Sequence, residues 1–418
     1  METIRRMESK VRSYSRSFPV VFKRAKDAFL FDSKGTRYID FFAGAGTLNY
    51  GHNNEMMKEK IIDYLKNDGI IHGLDMATVA KTDLLNKLES IIFKPRNLDY
   101  KVQFTGPTGT NAVEAALKLA RMIKKRSNII SFTNGYHGLT MGSMSVTANA
   151  YYRDKAFIDR SDVSFLPYDG YLGKEVNTAL YMRRFLEDNS SGVDIPSAII
   201  LETVQGEGGI HVASDKWLRE IEAMCHEFDI LLIIDDIQVG NGRTGYFFSF
   251  EKAGIKPDIV TLSKSFGGYG LPLSVVLFKR DLDIWKPGQH TGTFRGNNLA
   301  FVSATAALDY WKDDSFSKEI FRKGEIIEAR LIMLKEKYPE LKAEVRGRGF
   351  IFGLAVSPAQ RASKIAQECF KNKLILELAG ATNNVIKFLA PLTISDDILS
   401  EGLSILEKSI SNVLKESK

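Results

Sequence analysis

The sequence predicts an α/β fold, with a mostly parallel sheet in a large domain that carries helices on both faces, and a smaller α+β domain. Between residues 55 and 311, short apolar runs such as residues 231–234 alternate with stretches that have the apolar spacing of helices. Continuous apolar runs are typical of parallel strands that are buried on both faces. The chain of 418 residues is longer than a single core usually supports, so two domains are expected.

The two domains divide the chain into three segments. Residues 1–54 are predicted to form the N-terminal segment of the small domain, since residues 28–40 have the pattern of a hairpin around a turn. Residues 55–311 are predicted to form the large domain, which binds the cofactor inferred below. Residues 312–418 contain a long charged helix, short strands and a final amphipathic helix, and are predicted to form the C-terminal small domain.

Composition narrows the classes of partner and location. The formal charge of +6, from 57 basic and 51 acidic residues, comes without a basic run interleaved with aromatic residues, so no nucleic acid partner is expected. No apolar run has membrane-spanning length and the N-terminus lacks the apolar region of a signal peptide, so no membrane and a cytoplasmic location are expected. The two cysteines, Cys225 and Cys369, exclude a disulfide framework, and no metal site is expected.

Lys264 follows the apolar run 259–262 and precedes small residues. A lysine is nucleophilic near neutral pH only if burial or a cationic neighbour lowers its pKa of about 10.4 by roughly 3. A lone lysine at the end of a strand is usually exposed, so the neighbouring residues decide its role. Asp235 ends the run 231–234, and the carboxyl ends of parallel strands meet at the edge of the sheet where ligands bind.

The hydroxyl-rich turn at residues 108–110 precedes a helix-forming run at residues 112–121. Backbone N–H groups and the positive end of the dipole at such a helix start bind phosphate, although an ordinary N-cap has the same pattern. Tyr136 and His137 lie between glycines and are suited to stacking on a planar ring. A reactive lysine and an acidic partner for a ring nitrogen are groups that pyridoxal phosphate requires.

In this order, these residues resemble the class III aminotransferases, pyridoxal-phosphate enzymes of fold type I, over nearly the whole chain. The matching motifs include residues 202–209, 235–238 and 242–245. The resemblance implies that pyridoxal phosphate forms a Schiff base with Lys264 and that Asp235 pairs with its ring nitrogen, so both residues are catalytic. It also implies that the following residues bind the cofactor: Thr108, Gly109, Thr110, Tyr136, His137, Glu207, Asp235, Gln238, Lys264 and Thr293.

Thr293 also bears on the oligomeric state. It matches a threonine through which members of this family bind the phosphate in the neighbouring subunit. The resemblance therefore implies a homodimer, or a dimer of dimers, with shared active sites and small amino and keto acids as the other partners.

Whole phrases at residues 105–111 and 292–298 are similar to the diaminobutyrate subgroup of this family. The similarity implies amino transfer between L-glutamate and L-aspartate 4-semialdehyde, giving L-2,4-diaminobutyrate and 2-oxoglutarate, for ectoine biosynthesis. The alternatives are an ornithine or 4-aminobutyrate aminotransferase, or diaminobutyrate supply for a siderophore or peptide antibiotic. A decarboxylase or racemase of the same fold would use the same cofactor.

Substrate carboxylates require cations, and Arg295, Lys387 and Arg16 are the candidates. Ornithine and 4-aminobutyrate enzymes carry an arginine where this chain has Lys387. Because lysine cannot reproduce the bidentate guanidinium fork, the sequence leaves open whether Glu207 and Lys387 form a gate.

Three other hypotheses depend on local patterns. Residues 240–245 spell the glycine pattern of a nicotinamide site, but the aromatic residues that follow are a poor start for the helix such a site needs. A Ser263–Lys264 hydrolase is disfavoured because adjacent residues at the end of a strand point apart. A binding subunit without activity is expected to lack Lys264 or Asp235, and both are present.

Overall fold

The centre of the protein is a seven-stranded sheet, and the computed structural model describes residues 1–153 and 162–416. One strand, Val275–Lys279, is antiparallel to both of its neighbours. The other neighbouring strands of this sheet run parallel to each other. The strands follow the order Tyr100–Phe104, Val275–Lys279, Ile259–Leu262, Leu231–Asp235, Ala198–Leu201, Ile129–Phe132 and Val163–Leu166. The predicted α/β class with a mostly parallel sheet is confirmed.

Helices cover both faces of this sheet. Ile233 and Ile259 pack into a core with the helix Gly109–Lys124, whereas Leu232 and Ile234 pack into the core on the opposite face. Successive strand residues point to opposite faces, so a strand covered on both sides must be apolar at every position. This requirement explains the uninterrupted apolar runs in the sequence.

Two further sheets contain the terminal segments. The hairpin predicted at residues 28–40 is confirmed by antiparallel pairing of Phe29–Asp32 with Arg37–Asp40. The C-terminal segment adds a parallel strand, Leu374–Ile375, to this N-terminal sheet. That pairing favours one small domain built from both ends of the chain, and the boundaries at residues 54 and 311 stay a prediction. The sheets have the orders Phe22–Lys26, Phe29–Asp32, Arg37–Asp40, Leu374–Ile375, and Glu344–Arg348, Ile351–Ala355, Val385–Phe388, Glu377–Ala379.

Two of the longer helices begin at side chains that cap their first turn. Asn54 and Ser214 accept hydrogen bonds from the first turn of the helices that follow them, as good N-caps do. A short two-stranded ribbon, Val204–Gln205 with His211–Val212, lies beside the site described below. The α-helices are Glu2–Met7, Tyr14–Ser17, Glu55–Lys66, Val79–Lys87, Gly109–Lys124, Met141–Ser145, Thr178–Glu187, Asp215–Glu227, Asn298–Ala307, Ser315–Lys337, Gln360–Lys371 and Asp396–Lys415.

Within residues 1–153 and 162–416, no helix is both long enough and apolar enough to cross a membrane.

Candidate active site

Lys264 lies just beyond the strand Ile259–Leu262, at the carboxyl edge of the large sheet. Its backbone is in the left-handed region, with a φ of 49°, an unusual conformation for lysine that is often found at functional sites. Its Nζ donates a hydrogen bond of 3.0 Å to the carbonyl oxygen of Ala45. Burial lowers the pKa of Lys264, and the positive charge of Lys387 lowers it further, against the opposing effect of Glu207. The structure thus gives Lys264 the property that a nucleophilic lysine needs.

Asp235 ends the neighbouring strand and is buried. Its Oδ2 lies 2.7 Å from His137 Nδ1, and its Oδ1 accepts hydrogen bonds from Thr261 Oγ1 at 3.1 Å and the Ile237 N–H at 3.2 Å. Asp236 points elsewhere and accepts from the Ser249 N–H at 3.0 Å. Only the first of the two aspartates therefore faces the site, as the alternation along a strand requires.

His137 holds Asp235 in place. Burial on its own would lower the pKa of His137, but the hydrogen bond and the charge of Asp235 outweigh burial and raise it. Glu202, a buried neighbour, accepts from the backbone N–H groups of Tyr136 and Gly206, each at 3.0 Å. Burial raises the pKa of Glu202 to about 7. The imidazole therefore lies between two carboxyl groups, which favours its protonated form.

The helix Gly109–Lys124 points its first turn towards the same region. Asn111 Oδ1 accepts hydrogen bonds from both the backbone and the hydroxyl of Thr108, at 3.2 and 2.8 Å. Thr110 Oγ1 contacts Thr140 Oγ1 at 2.6 Å and the Ser143 hydroxyl. A Cβ atom at residue 109 would lie only 2.9 Å from Ile237 Cδ1, so a larger residue here would require the Ile237 side chain to shift. The helix start combines free backbone donors with a positive dipole end.

Lys387 lies at the far end of the site and is fully buried. Its ammonium contacts Glu207 Oε1 at 2.6 Å, Glu377 Oε2 at 3.0 Å and Gln238 Oε1 at 3.3 Å. Burial would lower the pKa of Lys387, but the charges of Glu207 and then Glu377 raise it. Burial, the largest single effect, raises the pKa of Glu207, but the charges of Lys387 and Lys264 and the hydrogen bonds of Lys387 and Gln238 together outweigh it and lower the pKa to about 2. The pairing of Glu207 with Lys387, left open by the sequence, is present.

A continuous chain of polar contacts joins Lys264 to this far end. The Ala45 carbonyl that accepts from Lys264 also accepts from Gln238 Nε2 at 3.1 Å, and the same Nε2 donates to Glu207 Oε1 at 2.9 Å. Ala45 is presented by a left-handed turn, Ala43–Gly46, in which all four residues have positive φ.

Tyr14 ends that chain of contacts. Its hydroxyl donates to Glu377 Oε1 at 2.7 Å. Burial, and next the charge of Glu377, raise the pKa of Tyr14, so the phenol remains a donor. Sequence reasoning did not assign a role to Tyr14, Ala45 or Glu377, although Tyr14 lies in the segment 11–19, which is similar to the diaminobutyrate subgroup. The available signal was that a carboxylate, Glu377, and a lysine, Lys387, each interrupt an apolar strand sequence.

Three predicted residues lie outside this cluster within one subunit. Arg16 is exposed and donates to the carbonyl oxygens of Lys10 and Arg12 at 3.1 and 3.0 Å. Arg295 lies 3.8 Å from Asp75 Oδ2 and 3.4 Å from Thr291 Oγ1. Thr293, two positions before Arg295, is exposed. The recorded contacts of Arg16 and Arg295 therefore do not include the Lys264 cluster of the same subunit.

The alternative hypotheses disagree with the geometry. Residues 236–250 form turns, so the glycine pattern at 240–245 does not open a helix that could bind a dinucleotide. Ser263 Oγ donates to the Leu273 carbonyl at 2.9 Å, away from Lys264 Nζ, which argues against a serine–lysine pair. Within the described ranges, no group of three or more His, Cys, Asp or Glu side chains could hold a metal ion.

The class-III aminotransferase family model matches residues 11–410. The chain therefore belongs to the class III aminotransferases, and the predicted family, enzyme class and pyridoxal phosphate dependence are confirmed. A diaminobutyrate–2-oxoglutarate transaminase from Wolinella succinogenes is 60% identical over 416 residues, covering 100% of this chain and 97% of the relative. Relatives with the same name from Halalkalibacterium halodurans and Halomonas elongata are each 55% identical over 97% and 98% of their lengths and 99% and 98% of this chain.

Solved structures show the same fold. An ornithine aminotransferase from Toxoplasma gondii superposes with a TM-score of 0.86 at 26% identity, over 99% of this chain and 94% of the other, and its active site is described as partly occupied by PLP. A Bacillus anthracis aminotransferase superposes with a TM-score of 0.88 at 22% identity, over 98% of this chain and 97% of the other.

The residues present fit pyridoxal phosphate. Lys264, with its lowered pKa, is suited to bind the aldehyde, and the buried carboxylate of Asp235 is suited to bind a protonated ring nitrogen. The first turn of the helix Gly109–Lys124 offers backbone N–H groups and a positive dipole end, which are suited to bind a phosphate. Lys264 and Asp235 come from adjacent strands, so both reach the same edge of the sheet.

Proposed function

We propose that this aminotransferase transfers the amino group of L-glutamate to L-aspartate 4-semialdehyde, giving L-2,4-diaminobutyrate and 2-oxoglutarate. The observation that carries the proposal is full-length identity of 52–60% to relatives named diaminobutyrate–2-oxoglutarate transaminase. The cluster of Lys264, Asp235 and Glu207 supports it, since these are the groups that amino transfer and binding of a charged substrate require.

Lys264 is the proposed acid–base group. Bound pyridoxal phosphate supplies an aldehyde that takes up the amino group and a ring that accepts electrons from the substrate carbon. The Nζ of Lys264, once free, would take the proton from the substrate carbon that bears the reacting amine and give it to the former aldehyde carbon of the cofactor, and in the other half-reaction it would move a proton the opposite way. Its lowered pKa favours the neutral amine, which is the form that a general base requires.

Asp235, His137 and Gln238 have supporting roles in this proposal. Asp235 holds a proton on the ring nitrogen, and the 2.7 Å contact with His137 fixes the direction of that carboxylate. Tyr136 provides an aromatic face for the ring, and Thr108 and Thr110 flank the backbone donors for the phosphate. Gln238, which contacts both Ala45 and Glu207, is placed between the lysine and the substrate end of the site.

The second part of the proposal is a homodimer with shared sites. Thr293 and Phe294 are exposed, and Phe294 stacks edge-on against His72 with ring centroids 5.3 Å apart. The segment around His72 exposes several large apolar side chains: Ile70, Ile71, Leu74, Met76 and Val79. Exposure of several large apolar side chains within one short segment is typical of a subunit interface. In a dimer, Thr293 and the nearby Arg295 would serve the phosphate and a substrate carboxylate of the neighbouring site.

Transfer of a labelled nitrogen tests the proposed reaction. Purified protein loaded with pyridoxal phosphate is given [¹⁵N]glutamate and aspartate 4-semialdehyde, and the products are followed by NMR. We expect ¹⁵N at the 4-amino position of diaminobutyrate and none at the 2-amino position. Lys264→Ala serves as the matched inactive control. Label transfer to the aldehydes of ornithine or 4-aminobutyrate metabolism, with none to aspartate 4-semialdehyde, would replace the proposed substrate.

A further inference from the structure

We propose that Glu377 is a specificity-determining residue, whose negative charge lets one site accept both a diamino acid and a dicarboxylate. This inference rests on the proposed function, which requires both kinds of substrate. Glu377 does not belong to any motif that identified the site, and it acts through its neighbours.

Glu377 is fixed opposite Lys387 by the strand register. The strands Glu377–Ala379 and Val385–Phe388 run antiparallel, and residues 377 and 387 are direct partners. Side chains at directly opposed positions lie on the same face, which accounts for the 3.0 Å contact between Glu377 Oε2 and Lys387 Nζ. The other neighbour of Lys387 in the sheet is Gly353, which has no side chain to compete.

Glu377 is a built part of the cluster. Its side chain is 6% exposed, and the Tyr14 hydroxyl binds its other oxygen at 2.7 Å. Glu377 also raises the pKa of Lys264, although less than Glu207 does, so its charge is felt at the reactive amine. The contacts among Tyr14, Glu377, Lys387 and Glu207 therefore couple the charge of Glu377 to the end of the site where Lys264 lies.

The second carboxylate changes the charge balance of the site. Lys387 supplies one positive charge, whereas Glu207 and Glu377 supply two negative charges, and Lys264 adds none while its amine is neutral or bonded to the cofactor. With Glu207 alone, this cluster would be neutral and would lack the negative charge that attracts the second ammonium of a diamino acid. Such a site would bind 2-oxoglutarate, with two carboxylates, better than diaminobutyrate, with two amino groups and one carboxylate.

Glu377 also leaves Glu207 free to change partners. If Glu207 turns towards a substrate ammonium, Lys387 keeps an ion pair with Glu377 and does not become an unpaired buried charge, which would be strongly unfavourable. Glu207, with 25% of its side chain exposed, is the carboxylate with access to the substrate.

The test is the substitution Glu377→Gln, which keeps size and removes charge. We expect KM for diaminobutyrate to rise about fivefold and KM for 2-oxoglutarate to fall by a similar factor, the size expected for one charge several ångströms away. A purely structural role predicts that both KM values rise together. Glu344→Gln, on the same C-terminal sheet with its side chain 60% exposed, is the matched control and should leave both values unchanged.

A second variant keeps the test decisive if Glu377→Gln folds poorly. Glu377→Asp shortens the side chain but keeps its charge, so the ratio of the two KM values should stay near that of the wild type. A rise of both KM values in Glu377→Asp, or an unchanged ratio in Glu377→Gln, would overturn the role of Glu377 alone. A wild-type protein without activity on diaminobutyrate would overturn the proposed function and this inference with it.

Discussion

Replacing the buried Lys387 by methionine removes the cation between the buried carboxylate of Glu377 and the partly buried carboxylate of Glu207, and should strongly destabilise the protein at neutral pH. The ammonium contacts Glu207 at 2.6 Å and Glu377 at 3.0 Å. Breaking a buried ion pair on one side costs about 3–5 kcal/mol, because the partner charge stays buried without compensation. Methionine has a similar length and no charge, so packing changes little.

The pH dependence gives this prediction its sign. In the wild type, the pKa of Glu207 is lowered from 4.5 to about 2, so its ion pair stabilises the fold above pH 4.5 and loses this effect as pH falls towards 2. In Lys387→Met, the charge and the hydrogen bond of Lys387 are lost, so burial, the largest effect on Glu207, raises the pKa of Glu207 against the remaining effects of Lys264 and Gln238. The folded variant then binds protons more readily than the unfolded chain, so it gains stability as pH falls from 7 to 5.

Denaturant unfolding followed by circular dichroism measures this effect at pH 7 and pH 5. The difference in stability between variant and wild type should be about 3–5 kcal/mol at pH 7 and smaller at pH 5. Lys101→Met, which breaks an exposed pair with Asp283 at 2.6 Å, is the control and should cost less than about 1 kcal/mol at either pH. A difference for Lys387→Met that stays constant or grows at pH 5 would refute the reasoning.

Two further predictions concern the cofactor site and the subunit interface. In His137→Leu, loss of the 2.7 Å hydrogen bond to Asp235 should lower kcat about ten- to a hundredfold. The loss should be smaller in Thr261→Val, since the Thr261 hydroxyl lies 3.1 Å from Asp235. An unchanged kcat of His137→Leu in stopped assays at saturating cofactor would contradict this role of His137. Mixing inactive Lys264→Ala with Thr293→Val should restore up to about a quarter of wild-type activity at limiting cofactor. About half of the dimers then contain one subunit of each variant, and each of these dimers has one intact site out of two. No recovery of activity after subunit exchange would contradict shared sites.

The central sheet and its reactive edge were predictable because burial on both faces leaves a clear pattern. The run that ends at Asp235 and the run before Lys264 are apolar at every position, and the structure pairs them as parallel neighbours. Ligands bind at the carboxyl edge of such sheets, so the two reactive residues could be placed together from sequence. A helix after the hydroxyl-rich turn was predicted from the helix-forming run 112–121, and the structure begins it at Gly109, inside the predicted turn.

The far end of the site was not predictable, because it depends on contacts between distant segments. Tyr14 reaches Glu377 across 363 positions, and Lys264 reaches the Ala45 carbonyl across 219. Glu377 stands between two leucines, a pattern equally typical of an exposed charge on a strand. Only the register of its strand with that of Lys387 shows that it is buried. Arg16 and Arg295 have the right charge for substrate carboxylates, but sequence holds no information on where their segments fold.

A single turnover with diaminobutyrate tests the proposed chemistry most directly. Protein loaded with pyridoxal phosphate is mixed with L-2,4-diaminobutyrate in the absence of a keto acid, and the yellow absorbance of the cofactor is followed. We expect the absorbance to be lost and then restored by 2-oxoglutarate, with no such cycle in Lys264→Ala. A protein that stays yellow with diaminobutyrate but is bleached by ornithine or 4-aminobutyrate would contradict the proposed substrate.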